Sequence, residues 1–219
     1  MKKFIRSARS DYMKNRFLKF VLFSIVCSVL LLISCDKTKT DATPPIFSVP
    51  FVDPDKVVSF VGFGSDFHDG TFCPNYEVTV NGLDVEVFSA SAGTIKRIDS
   101  NREKDPHNPA QDDFEIGVVP FKNSRYMIIY DHVKNLPPNI VVGAKLQPGD
   151  LLGNVGYWSM GIGRTEFQVN KYSDYRHRGA ELSICPEKFG TEAFNDAMRV
   201  AHAKGPISPY VCMRETAIP

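Results

Sequence analysis

Between Tyr76 and Val169 the chain returns again and again to an alternation of apolar and polar residues, each run ended by a turn former. Period two is the spacing of a strand with one buried face, and it argues against a helical bundle. The runs are 76–80 (YEVTV), 85–90 (VEVFSA), 94–98 (TIKRI), 114–121, 125–133 (RYMIIYDHV) and 164–169 (RTEFQV). Asn81-Gly82 after the first run is a tight-turn candidate, and 145–153 reads as a turn between short extended pieces. Fifteen prolines and 15 glycines, with 11% aromatic residues, suit a turn-rich body. The expected fold is mainly β, an antiparallel β-sandwich with a short C-terminal helix. That helix is 192–204 (EAFNDAMRVAHAK), with Phe194, Met198 and Ala201 on one face and Gly205-Pro206 as its stop. Residues 99–112 read as a polar surface loop carrying His107, and His202 reads as a surface or capping side chain.

The N-terminus has a different character. Residues 1–35 hold seven of the 26 Lys and Arg but one of the 25 Asp and Glu, so the rest carries 19 bases against 24 acids, about −5. An acidic body without a Lys/Arg run argues against a nucleic-acid partner, whose affinity comes largely from neutralised phosphates. The basic head leads into an apolar stretch whose uncharged part, 21–34, is 14 residues long. That is a signal-peptide layout, shorter than the roughly 20 residues of a spanning helix. It ends Leu32-Ile33-Ser34-Cys35, which resembles the lipobox of bacterial lipoproteins. The resemblance implies a lipid on Cys35 as first mature residue, anchorage to a bacterial membrane, and a cell-envelope location. Met1 and Met13 are both candidate starts. Residues 36–55, polar and then Pro-rich, read as a tether, followed by a β domain over 56–175 and an extension over 176–219. Three cysteines remain in the body, enough for one internal disulfide and one free thiol. The preferred pair is Cys185 with Cys212, which leaves Cys73 over. No Cys-x-x-Cys pair occurs, so a thiolate zinc cluster is not expected.

Three stretches, in order, resemble the M23 family of LytM-type zinc endopeptidases of bacterial cell walls, whose fold is the duplicated hybrid motif. Residues 87–95 (VFSASAGTI) are similar to the family's "VxAxxxGxV" strand pair, and 129–133 (IYDHV) to its "YxHL" catalytic-histidine strand. Residues 143–156 (GAKLQPGDLLGNVG) resemble its "GxxVxxGxxIGxxG" turn, a segment that also fits lipoyl-type hammerhead domains in an export adaptor. The resemblance covers about half of the chain. It implies a zinc site from His-x-x-x-Asp and the second His of His-x-His, with the first His of that triplet acting on the water, but here the pair falls on Cys73 and Glu77, Glu166 stands at the zinc-binding histidine and Arg164 at the catalytic one. His132 alone is unchanged, as the catalytic histidine. A second placement, on His68-Asp69-Gly70, leaves too long a gap to the next strand.

Two glutamates and a histidine on adjacent strands still carry chemistry. Glu77, Glu166 and His132 facing one groove would offer a divalent metal two oxygens and one imidazole nitrogen, a set closer to iron or manganese than to zinc preference. Without metal they suit acid–base work, as in glycoside cleavage. Arg164 counts against a cation, because a guanidinium beside either glutamate cancels the charge a metal needs. Arg164, Gln168, Trp158 and Cys73 are then binding residues of the cleft, Trp158 as an aromatic wall in a Gly-rich loop. Asp113 and Asp131 read as solvated strand-end carboxylates, Asp131 with a part in orienting His132. Two readings follow. One is a degenerate, non-catalytic domain that binds peptidoglycan or an envelope partner; the other is a metal-dependent peptidoglycan endopeptidase with a non-standard Glu/His/Glu site.

Overall fold

The computed structural model describes residues 42–66, 71–104 and 112–217. The signal segment, Cys35, His107 and the His68-Asp69-Gly70 motif lie outside them. In chain order the elements are β1 (Val57–Val61), β2 (Tyr76–Asn81), β3 (Glu86–Phe88), β4 (Gly93–Ser100), α1 (Asn101–Lys104), β5 (Phe114–Val119), β6 (Tyr126–Lys134), β7 (Lys145–Leu146), β8 (Leu151–Ser159), β9 (Ile162–Tyr172), β10 (Ala180–Ile184), α2 (Glu192–Lys204) and β11 (Thr216–Ala217). The body is mainly antiparallel β, as expected, and hydrogen bonds link its strands into one sheet in the order β1-β2-β9-β8-β6-β5-β4-β7, with β10 on β9 and β3 on β8.

Strand β9 organises the sheet. Along one edge it pairs first with β2 and then with β10. Along the other it pairs with β8 through Arg164 and then with β6 from Glu166 onward. Its alternate residues Thr165, Phe167 and Val169 are fully buried. Phe167 is the hub of an aromatic core, stacked on Phe51 at 4.8 Å and edge-on to Phe47 at 5.0 Å, with Tyr130 at 5.2 Å. Such pairs add to the area term of burial.

Phe47, Phe51 and Val52 fall within the stretch read as a tether, yet all three are fully buried. Phe47 bridges to Gly190 and Val52 to Val87, so this stretch is part of the folded body. The Pro-rich composition hid it, because isolated aromatics between prolines show no period.

The helix appears with its expected bounds, Glu192–Lys204, burying Phe194, Met198 and Ala201. The Thr191 side chain caps it by accepting from the Phe194 backbone N–H. Gly205 does more than stop the helix: a Cβ there would collide with the Val58 carbonyl where the chain crosses β1. His202 lies near the helix end and bonds the Ser208 carbonyl through Nε2 at 2.7 Å. The disulfide joins Cys185 to Cys212, as expected, and Cys73 is a buried free thiol.

Two turn expectations change. Asn81-Gly82 does not join a hairpin, since β2 lies between β1 and β9, and Gly82 N–H donates to the Gly161 carbonyl. The tight turn is at Met160-Gly161, between β8 and β9, with Gly161 at φ 74°. The Gly-rich stretch 156–163, read as a loop, is thus the end of one strand and the start of the next.

Candidate functional site

The site stands where three strands fork. β6 runs beside β9 as far as the Asp131–Glu166 pair and then leaves it for β8, pairing Val133 with Val155. His132 is the residue at the crossing, and its φ of 56° places it in the left-handed region that non-glycine residues seldom occupy. Strict alternation would turn Asp131 and His132 to opposite faces of the sheet. The twist at His132 breaks that alternation. The Thr165 hydroxyl secures the fork by donating to the Asp131 carbonyl at 2.9 Å.

Gly156 makes the crossing sterically feasible. A Cβ there would collide with Asp113 Oδ2 and press on His132 Cβ. The last glycine of the 143–156 turn is therefore the floor under a buried carboxylate–imidazole pair. Asp113 is 2% exposed, and its Oδ2 accepts from His132 Nδ1 at 2.9 Å. Asn101 donates through Nδ2 to Asp113 Oδ1 and to Asp131 Oδ1, both at 2.7 Å, and the His132 backbone N–H also donates to Asp131 Oδ1. Asp113 is thus the carboxylate on the ring, and Asp131 holds the backbone. The expectation of solvated strand-end carboxylates fails at Asp113, because Asn101 lies beside it where the β4–β5 ladder ends and bonds it, while the His132 ring bonds its other oxygen.

On the other side of the ring, β2 lies against β9 with Glu77 opposite Glu166 and Thr79 opposite Arg164. Directly opposed residues share a face, so Glu77, Glu166 and Asp131 project together. Arg164 Nη2 lies in close contact with His132 Nε2, and its Nη1 lies 4.0 Å from Glu77 Oε1. Glu166 Oε1 lies 3.5 Å from His132 Nε2, while Oε2 accepts from Asn75 Nδ2 at 2.5 Å. Cys73 Sγ donates to Asn75 Oδ1 at 2.9 Å. Glu77, His132, Arg164 and Glu166 therefore meet in one place. Cys73 reaches them only through Asn75, a residue that sequence reasoning missed although it lies two positions before Glu77 and so on the same face.

Trp158 is half exposed and lies against the Arg164 guanidinium, 4.8 Å from ring centroid to Cζ. A cation over an indole face is a favourable contact, and it fixes both side chains at the mouth of the site. Gln168 lies further along the same face of β9, but its amide is committed to Asn170 Oδ1 and Ser183 Oγ.

The charges have identifiable consequences. Burial raises the Glu77 carboxyl and Glu166 raises it further, with Arg164 and His132 opposing. Burial also raises Asp131, against His132 and Asn101. For His132 burial works downward, but the bonds to Asp113 and Glu166 and the charge of Asp131 outweigh burial and Arg164 and lift it to about 9. Two hydrogen-bond schemes follow at Nε2. The imidazolium donates toward Glu166, and the neutral ring accepts from Arg164; the three carboxylates favour the first. Burial pushes the Cys73 thiol up to about 11, so it is a protonated donor rather than a thiolate.

These residues do not fit a divalent metal as they stand. A guanidinium contacts the one ring nitrogen left for a ligand and approaches one of the two glutamates. Asp113, Asp131 and His132 offer ligand atoms within 4.8 Å of one another, but the Asn101 amide already bonds both carboxylates. In the group Cys185, Glu187 and Cys212 the sulfurs are joined to each other.

No family model matches the chain, and no curated protein sequence does. Among solved structures it is similar to lysostaphin, with 12% identity over 77% of this chain and 59% of that one and a TM-score of 0.46. It is also similar to Csd3 of Helicobacter pylori, with 16% identity over 59% of this chain and a TM-score of 0.41. A third is the catalytic domain of the prophage-encoded M23 protein EnpA from Enterococcus faecalis, with 18% identity over 57% of this chain and 87% of that one and a TM-score of 0.42. The chain spans about a third of Csd3, 31%. At these identities and TM-scores the likeness assigns neither a family nor an activity to the chain.

Proposed function

We propose that the chain is a lipid-anchored protein of the bacterial cell envelope whose β domain, built on an M23-like plan, binds peptidoglycan without cleaving it. The observation that carries this reading is the Arg164 guanidinium, set against His132 Nε2 and 4.0 Å from Glu77. The residues that the M23 resemblance aligns do come together, which supports the shared plan. Their chemical types support binding. An internal cation occupies the space between the imidazole and Glu77, so no Lewis acid is at hand to polarise a peptide bond. What remains is a set of fixed donors and acceptors beside a half-exposed indole, groups that suit recognition. Trp158 supplies the wall on which a sugar ring or peptide plane stacks.

Co-sedimentation with purified sacculi tests this. Wild type is expected in the pellet with no soluble peptide released, and Trp158→Ala is expected to weaken binding about tenfold, the order of one lost stacking contact. Retention of full affinity by Trp158→Ala would remove the cleft from the binding site. The anchor is tested separately: the mature protein is expected to partition into the detergent phase, and Cys35→Ala to stay in the aqueous phase. A Cys35→Ala protein that still partitions after signal removal contradicts lipidation at Cys35.

A further inference from the structure

The sheet face that bears Arg164 and Glu166 does not end at the site. Alternate residues of β9 continue it through Gln168, Asn170 and Tyr172, and the opposing residues of β6 are Asp131, Ile129 and Met127. Four residues of strand from Asp131 to Met127 span roughly 13 Å. At that far end lies a cavity of about 440 Å³ lined by Lys96, Arg97, Met127, Tyr172, Arg176 and His177.

Four basic or imidazole side chains around one cavity are unexpected on an acidic body. Arg97 is fixed there: its stem crosses β5 over Gly117, where a Cβ would come within 2.9 Å of both Arg97 Cγ and Met127 Sδ. Its guanidinium is paired with Asp99 and Glu115, so it shapes the wall and brings little free charge. Arg176 holds Asp174 through Nε and Nη2, which leaves Nη1 to engage a ligand. Lys96 has no ion-pair partner among the described residues. The His177 ring packs edge-on to Tyr172 at 5.0 Å, and both ring nitrogens are buried without a hydrogen-bond partner. The backbone of Ser124 and Tyr126 lies near the ring, but neither nitrogen reaches bonding geometry. His177 is also held at φ 58°, in the left-handed region. Two buried, unbonded ring nitrogens on a half-buried imidazole with a strained backbone are a feature that native folds keep for a reason. Burial, aided by Lys96, holds this ring below its ordinary value, so at neutral pH it offers one N–H donor and one acceptor.

We propose that this cavity binds an oxyanion, the carboxylate of a short peptide, with Lys96 and Arg176 supplying charge and His177 a hydrogen bond. Met127 and Tyr172 form an apolar wall that suits the residue carrying the carboxylate, whereas inorganic phosphate has no group to place there. The assignment extends beyond the binding role of the Trp158 end and does not depend on it.

Calorimetric titration of the full chain tests it, with acetyl-alanyl-alanine as the free acid, the same dipeptide as its C-terminal amide, and inorganic phosphate. The free acid is expected to bind at least tenfold more tightly than the amide. The Lys96→Ala/Arg176→Ala double variant, altered at solvent-facing positions, is expected to lose at least tenfold in affinity for the acid with its thermal melt unchanged. Trp158→Ala is expected to bind the acid as wild type does, which separates this cavity from the sacculus-binding cleft. Equal binding of acid and amide, no binding of the acid, or an unaffected double variant overturns the proposal. Phosphate binding more tightly than the peptide acid overturns the carboxylate assignment.

Discussion

Arg164→Ala is expected to destabilise the protein in metal-free buffer and to make it responsive to divalent cations. In the wild type the guanidinium lies against His132 and 4.0 Å from Glu77, and it lowers the cost of keeping Glu77 ionised. Removing one partner of a largely buried charge cluster leaves the others uncompensated. The side chains of Arg164 and Glu77 are 17% and 23% exposed, so screening trims the effect to about 2 kcal/mol, below the 3–5 of a fully buried pair. The same deletion frees His132 Nε2 and opens the space beside the Glu77 and Glu166 oxygens. An imidazole nitrogen and two carboxylates suit manganese better than zinc. A cation at about 100 times its dissociation constant would restore about 2.7 kcal/mol. The check is a thermal melt with and without millimolar manganese or zinc: the variant is expected to melt lower than wild type without metal and to recover with it, while wild type does not shift. A wild type that gains as much as the variant would show that Arg164 does not block the site.

Stability is expected to fall as pH rises from about 6.5 to about 9. The His132 imidazole has its folded value raised from 6.5 to about 9, so across this window the folded state holds a proton that the unfolded chain has released. Its contribution is complete below the unfolded value and is lost as pH climbs through the folded one. The displacement corresponds to on the order of 3 kcal/mol. Asp113→Asn keeps the shape of the partner but removes the charge that holds the imidazolium, and it is expected to flatten most of the slope. Cys73 titrates well above this window, at about 11. Denaturant melts at four pH values between 6.5 and 9 measure the slope directly, and a wild type equally stable at both ends contradicts the assignment of an imidazolium at His132.

Much of this architecture was legible because strands with one buried face print their period into the sequence. The runs around Glu77, Ile129 and Phe167 became β2, β6 and β9, and the apolar stripe of Phe194, Met198 and Ala201 became the buried face of α2. The convergence of Glu77, His132, Arg164 and Glu166 was also legible, through the order of motifs. What stayed hidden arises from contacts without a local signature. Phe47 and Phe51 enter the core from a Pro-rich segment, and β1 and β10, five residues each, show no clear alternation. Asp113 could not be recognised as the His132 partner, since that contact depends on a left-handed residue at a sheet fork, on a bare Gly156 beneath it, and on the Asn101 amide that bonds the same carboxylate. Asn75 is the exception: counting by two from Glu77 places it on the same face.

In the function proposed here, the Arg164 guanidinium blocks the space between His132 and Glu77, and the domain holds the wall and leaves it intact. The most direct test incubates the wild-type protein with dye-labelled sacculi in zinc-containing buffer and follows both pelleted protein and released dye. Protein is expected in the pellet, with dye release no faster than without protein. Protein-dependent dye release that disappears in His132→Ala would contradict the proposed function.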